Sequence, residues 1–405
     1  MGIEPDATVS LRVLEKMVYA GTHATSFQQA EADVKALAEL QISAQRIARA
    51  TRRIGQERVA QREAQVEAWE KLRLPQQQQS PRVQVPMVAC VEMDGGRVQI
   101  RDRKRTEPVD KGSRKGRFWR ESKVGCLLSM TSVVSAEDPC PQIPQVFVDP
   151  RRIQQISREI KGFSAEGDLP ETAPQALEDR AGRPEVLVRS VTATRQDLEP
   201  FGKQLAAAAW QRGFAAAPRK AFVGDGAEAN WSIWQRHFSH YTPILDFIHA
   251  ICYVFAAALA GRSVGEGWPV YCQWAQWVWS GQVDQVIAAL AIRQEELGTA
   301  AENEAEDSPR TKVADALRYL KNQKSRMRYD EYRRQGLPIT SSHIESTIKQ
   351  INRRVKGSEK FWSGGGAESL LQLAADYLSE TDPLATFWRE RPTLATGQRH
   401  YQTAG

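Results

Sequence analysis

The spacing of apolar residues changes period along the chain, and each change marks an element. From Ser26, "SFQQAEADVKALAEL" carries Ala, Val and Leu at helical spacing behind a residue suited to cap a helix. "QIS" makes a short turn, and Ser43 can cap a second helix, "AQRIARATRRIGQERV". Residues 1–74 are therefore expected to form an all-α, helix-turn-helix-like domain. The polar, proline-bounded "PQQQQSP" at 75–81 predicts a linker. Strand-like sequence follows at once. "RVQVPMVACVEMD" predicts a first strand, Gly95-Gly96 a hairpin turn, and "RVQIRD" a second strand. "SKVGCLLSMTSVV" predicts a third, and 149–185 reads as peripheral loop. Residues 196–213 predict a helix, and "RKAFVGDGAEANW" a short fourth strand ending in Gly224-Asp225-Gly226. "YTPILDFIHAICYVFAAALAG" starts as a fifth strand and turns helical near Asp246. A tryptophan-rich helical stretch precedes one more helix, "TSSHIESTIKQINRRVKGSEKFW".

Strands with hairpin links, then helix, strand, strand and helices, is the order of an α/β, RNase H-like fold with a mixed sheet. The expected division is a helical domain at 1–74, a linker at 75–81, a core at 82–262, a helical insertion at 263–337, and the rest of the core at 338–405. The apolar fraction of 41% contains no run of the ~18–20 residues a bilayer span needs. No basic segment followed by an apolar one opens the chain, so no secretory signal is expected. Five cysteines without CxxC spacing predict reduced thiols and a cytoplasmic protein.

Charge sharpens the picture through its placement. The net charge is only +6, but Arg97–Arg120 holds ten Lys/Arg against three Asp/Glu, and Arg310–Lys360 fourteen against five. Segregated positive charge is the footprint of a polyanion partner, most simply DNA. In the second helix Arg46, Arg49 and Arg53 share a face that can lie against phosphates; a charged helix in a small bundle is the alternative.

Three carboxylates stand at ends of predicted elements: Asp94, Asp225 and Glu345. Brought together, they would repel one another unless divalent cations relieved the repulsion, and hard oxygen ligands suit Mg²⁺ or Mn²⁺. Each has a plainer reading. Asp94 and Asp225 both suit turns, and Ser342-His343-Ile344-Glu345 matches the S-x-x-E capping box. Strand alternation puts Glu92 on the same side as Asp94, so only depth separates the two. In the last helix Ile344, Ile348, Ile351 and Val355 form an inward face. Glu345, Lys349, Asn352 and Lys356 repeat that spacing one residue over, and Arg353 adds a further cation suited to a DNA backbone. Tryptophans of the insertion are expected in the core, while Trp362, close after Lys360, is a candidate DNA contact.

The segments "VEMDGGRVQIR", "FVGDGAEANWSIW", "PILDFIHA" and "SSHIESTIKQINRRVKGSEKFW" resemble DDE transposases of bacterial insertion sequences, the Kra-type group most and the mutator-like group more distantly. The N-terminal helices resemble the DNA-binding region of that group. The resemblance implies Asp94, Asp225 and Glu345 as catalytic residues holding two Mg²⁺ or Mn²⁺ ions. It implies Asp246 and His249 as a (C/D)xxH pair that hydrogen-bond each other or brace Asp225; read from the residues alone, His249 is an ordinary buried histidine. It further implies double-stranded DNA as partner, both terminal repeats and target, a homo-oligomer, and a bacterial, nucleoid-associated location. Two departures stand out. The approach to Glu345, "PITSSHIES", lacks glycine, and the Tyr-Arg-Glu-Lys helix signature of other transposase families is absent. A nuclease without strand transfer and a catalytically inactive DNA-binding protein are the alternatives.

Overall fold

The computed structural model describes residues 9–81, 83–101, 118–164, 170, 183–301, 303–357 and 359–391. Three helices open it: α1 (Leu11–His23), α2 (Phe27–Ala38) and α3 (Ala44–Glu70). Ser26 caps α2 as expected, its hydroxyl accepting from Gln29 N. Ser43 holds the cap position of α3 without a side-chain bond, and α3 runs well past the predicted Val59. The 75–81 segment is no open linker. It starts with one turn, α4 (Leu74–Gln77). The Trp210 indole N–H donates to the carbonyls of Gln76 and Gln79, and Ser80 Oγ donates to Gly213 O. Backbone carbonyls that water would otherwise satisfy are thereby tied to the core.

The sheet contains β1 (Val88–Gln99), β2 (Trp119–Thr131), β3 (Glu185–Thr194), β4 (Arg219–Gly224) and β5 (Thr242–Leu245). Helix α5 (Pro150–Lys161) lies between β2 and β3, and α6 (Leu198–Gln211) between β3 and β4. The spatial order is β3-β2-β1-β4-β5. Pairs β1–β2 and β2–β3 are antiparallel, and β1–β4 and β4–β5 are parallel. Five strands were expected, but they are not the same five. Gly95-Gly96 makes no hairpin: β1 runs straight through it, with Gly95 opposite Lys123 and Gly96 opposite Ser122. A side chain at Gly96 would begin 2.8 Å from Ser122 Oγ, so the glycine permits close strand approach rather than reversal. The basic connection after β1, residues 102–117, lies outside the described residues. The stretch read as peripheral loop contains α5, and β3, which begins at its end, was not anticipated.

The later helices are α7 (Glu228–His237), α8 (Phe247–Ala258), α9 (Val264–Trp279), α10 (Val283–Leu297), α11 (Pro309–Gln323), α12 (Tyr329–Arg334), α13 (Ser342–Val355), α14 (Gly364–Leu378) and α15 (Pro383–Glu390). Helix α13 packs on β1 and β2, and α6 on β2. Trp274 and Trp279 are buried in the core, as expected. The chain is thus an α/β protein with N-terminal helices and a mixed five-stranded sheet, consistent with RNase H-like topology. Among the described residues no helix is long and apolar enough to cross a membrane.

The N-terminal helices are packed against the rest. Helix α14 contributes Leu373 to a core with Met17, Ile47 and Ile54, and Leu370 and Leu371 to the main core. Arg58, on the helix read as DNA-facing, is buried and forms two bonds to Asp376, at 2.8 and 3.0 Å. Arg62 bonds Gln372 and Glu368. From α13, buried Arg354 donates to Gly21 O at the end of α1 and lies between the rings of Phe27 and Trp362.

Candidate active site

The parallel pairing of β1 with β4 places the first two carboxylates. The register runs from Val88↔Arg219 to Glu92↔Val223, an offset of 131 residues (219 − 88). The same offset separates Asp94 from Asp225 (225 − 94 = 131). Both positions lie two residues past the last pair of that register, so it brings them to the same end of neighbouring strands, where the charge of Asp225 acts on Asp94. Asp94 sits inside β1, where its Oδ1 accepts from its own neighbour, Gly95 N, at 2.6 Å. Asp225 follows the last residue of β4. Its Oδ1 accepts from Ala227 N at 2.9 Å and Asn230 Nδ2 at 2.7 Å, and among the described residues its Oδ2 has no hydrogen-bond partner.

The turn at Asp225 is held from the insertion. The Tyr319 hydroxyl of α11 donates to Asp225 O at 2.6 Å, and Gln323 Nε2 donates to Gly226 O. Gly226 has φ of +96°, and a Cβ there would lie 2.8 Å from the Tyr319 ring. Glycine is required on both counts. No local signal near Asp225 pointed to Tyr319, which lies 94 residues away in sequence.

Glu345 lies in the first turns of α13, but the expected capping box does not form: Ser341 is the cap residue and its side chain makes no capping bond. Two carboxylates from elsewhere take its place. Glu92 Oε2 accepts from Ile344 N at 2.9 Å, and Asp246 Oδ1 accepts from Ser341 N at 2.7 Å. Asp246 Oδ2 also accepts from His249 N and is 2.7 Å from His249 Nδ1. The pair thus bonds internally, one of its two expected arrangements, and Asp246 also holds the start of α13. Among the described residues, the potential metal-ligating groups whose donor atoms all lie within 4.8 Å of one another are Asp246, His249 and Glu345. Asp94 and Asp225 stand beside that group rather than in it. Glu345 Oε1 and Glu92 Oε1 are buried without a hydrogen-bond partner. An oxygen-rich cluster with unpartnered carboxylate oxygens fits a hard divalent cation such as Mg²⁺ or Mn²⁺.

The cluster's electrostatics follow from crowding and burial. Burial pushes Asp94 up to about 6; the charges of Asp225 and Glu345 add to this, while the Gly95 N–H and His249 oppose it. Burial raises Glu345 too, with Asp246 adding to the effect and His249 and Lys349 countering it. His249 is pushed up to about 9: burial works against its charge, but the hydrogen bond and charge of Asp246 outweigh it, helped by Asp225 and Glu345. An imidazolium therefore stands among the carboxylates at neutral pH. Glu92, 0% exposed, is pushed up to about 8 by burial and by Asp246 and Glu345, against the Ile344 N–H.

Glu92 yields a stability prediction. Its folded pKa is raised, so its contribution is full below the usual value of 4.5 and is lost as pH rises to about 8. Glu92→Gln, neutral at every pH and able to keep the bond to Ile344 N, should remove that loss. In EDTA, urea unfolding should show the variant gaining about 3–5 kcal/mol relative to the parent between about pH 5 and about pH 8, at ~1.4 kcal/mol per unit. Parallel pH profiles would show that Glu92 is charged in the fold.

The residues read as DNA contacts are placed as follows. Arg46, Arg49 and Arg53 are exposed on α3, opposite buried Ile47 and Ile54. Arg353 and Lys356 are exposed on α13, whose Ile344, Ile351 and Val355 face inward while Ile348 is half-buried. Asn352 lies near Gly96 of β1. Lys349 is 3.1 Å from Glu159 of α5, which sets that unanticipated helix beside the site. Trp362 is half-buried, packs against Phe27 and Arg354, and donates its N–H to Val355 O. The indole read as a candidate DNA contact thus joins α13 to the N-terminal helices. No family model matches the chain, and no curated protein matches it.

Proposed function

We propose that this chain is a DDE-type DNA transposase with an RNase H-like catalytic core, cutting strands at its element's ends and joining the freed 3′-hydroxyls to target DNA. The observation that carries this reading is the β1–β4 register, which sets Asp94 beside Asp225 at the edge where α13 delivers Glu345. Asp94, Asp225 and Glu345 would hold two Mg²⁺ or Mn²⁺ ions, which when bound supply activation of the attacking oxygen and stabilisation of the leaving oxygen. Asp246 and Glu92 fix the start of α13 and so the direction of Glu345. Without a bound cation, His249 holds a positive charge beside the carboxylates and limits their repulsion. Arg353 and Lys356, with Asn352, offer groups to the DNA backbone, and the exposed arginines of α3 a second surface for terminal repeats. Holding two ends together calls for a homo-oligomer.

The test is nicking of a supercoiled plasmid carrying the DNA that flanks the reading frame on both sides. Relaxed circles should form with Mg²⁺ or Mn²⁺ and not with EDTA. No nicking with either ion would overturn the assignment. Supplying pre-cut ends separates the alternatives: joined products support a transposase, whereas cleavage without joining supports a nuclease.

A further inference from the structure

Beside Asp225 three elements converge: the end of α5, the middle of α8 and the outer face of α11. Tyr319 of α11, whose hydroxyl holds Asp225 O, stacks on Tyr253 of α8 with centroids 3.8 Å apart and planes 13° from parallel. The Lys161 ammonium, at the end of α5, lies 3.6 Å from the centre of the Tyr253 ring. Two residues further on, Phe163 carries the Lys312 ammonium of α11 at 4.5 Å. Among the described residues neither lysine has a carboxylate within ion-pair distance. A cation held over an aromatic face is positioned by the ring quadrupole without being neutralised, so its charge stays available to an anion. Other lysines are paired with acids: Lys349 with Glu159, Lys203 with Glu70 and Lys324 with Asp284.

We propose that Lys161 and Lys312 form a phosphate clamp that holds the DNA backbone where it passes Asp225. This rests on the proposed DNA-processing role and extends it to a surface formed by α5, α8 and α11. Lys312 and Tyr319 are seven residues apart on one helix, about 10.5 Å of rise. Strand charges in B-DNA are spaced ~3.4 Å along the axis, so the rise from Tyr319 to Lys312 matches about three phosphate spacings. The rings also fix where the charges stand. Neither lysine must give up all its side-chain freedom on binding, because each is already seated. The chain feature behind this is α5, whose last residue is Lys161 and whose Glu159 meets Lys349 across the site.

The experiment measures fluorescence anisotropy of a labelled 30-base-pair duplex with the full chain in EDTA, across a salt series. Lys161→Gln/Lys312→Gln should lower the slope of log affinity against log salt by about 1.8, ~0.9 per lost phosphate contact, and weaken binding about tenfold or more near 0.15 M salt. Lys203→Gln/Lys220→Gln, one lysine on α6 paired with Glu70 and one at the end of β4 away from Asp225, should leave the slope unchanged. Thermal melting confirms that each variant is folded. An unchanged slope in the clamp variant, an equal fall in the control, or no duplex binding by the parent would overturn the clamp. The catalytic reading fails separately: duplex binding with the expected slope change but no metal-dependent nicking keeps the clamp and sinks the transposase, and nicking with an unchanged slope does the reverse.

Discussion

Asp225→Asn is expected to lower metal-dependent strand cleavage by about 10³-fold or more while the protein keeps its fold. The amide retains an oxygen, so the Oδ1 bonds from Ala227 N and Asn230 Nδ2 survive with it. What disappears is the negative charge at the unpartnered Oδ2 position. If that oxygen helps to hold a divalent cation, its loss removes several kcal/mol of charge stabilisation, and ~4 kcal/mol corresponds to about three powers of ten in rate. Plasmid nicking and a melting curve on one preparation decide the matter. Cleavage within tenfold of the parent would remove Asp225 from the chemistry and leave it as a turn residue with a capping role. A collapsed melting curve would show instead that the Asn230 contact needs the charge.

Asp246→Ala should destabilise the fold by about 3–5 kcal/mol, read as a shift in urea midpoint at constant slope. Asp246 is 0% exposed and accepts from His249 N, His249 Nδ1 and Ser341 N. Truncation strips α8 of its cap and leaves buried donors at the starts of two helices without a partner. It also leaves an imidazolium without its main counter-charge. Asp246→Asn, which keeps one acceptor oxygen, should recover part of the loss. A midpoint shift worth less than about 1 kcal/mol for the alanine variant would mean that α13 is positioned by packing alone. The two predictions separate two kinds of acid in one cluster: Asp225 is expected to affect rate more than stability, Asp246 stability at least as much as rate.

Much of this site was legible from local pattern, because local pattern reports local physics. A helix beginning at Asp246 follows from a capping acid before an apolar run, and the structure has Asp246 accepting from His249 N. The face of α13 follows from the spacing of Ile344, Ile351 and Val355, all buried. The failures share one cause. Gly95-Gly96 carries the composition of a turn, and only the presence of β2 beside it makes a straight strand the better solution. β3 is an edge strand with a half-exposed surface and Arg189 in its middle, so its alternation is weak. Ser342-x-x-Glu345 satisfies a capping rule, yet Glu92 and Asp246 reach the same helix start first. Glu92 itself was visible as an acid on the face of Asp94, but its depth depends on α13 lying over β1.

The sequence by itself determined most of the strands, many of the helices though not α5, the segregation of positive charge, and the identity of the acids that could meet. Asp94 and Asp225 are spaced 131 residues apart in any conformation of the chain. Only the tertiary structure turned that number into adjacency, because a parallel register is set by burial of both strand faces and not by either strand alone. It also decided that Asp246 and His249 attend Glu345, that Tyr319 holds the turn at Asp225, and that α5 stands over the site. Hydrogen bonds, desolvation and charge repulsion act over a few ångströms of space, and the residues that share those ångströms here lie about 90 to 250 positions apart in the chain.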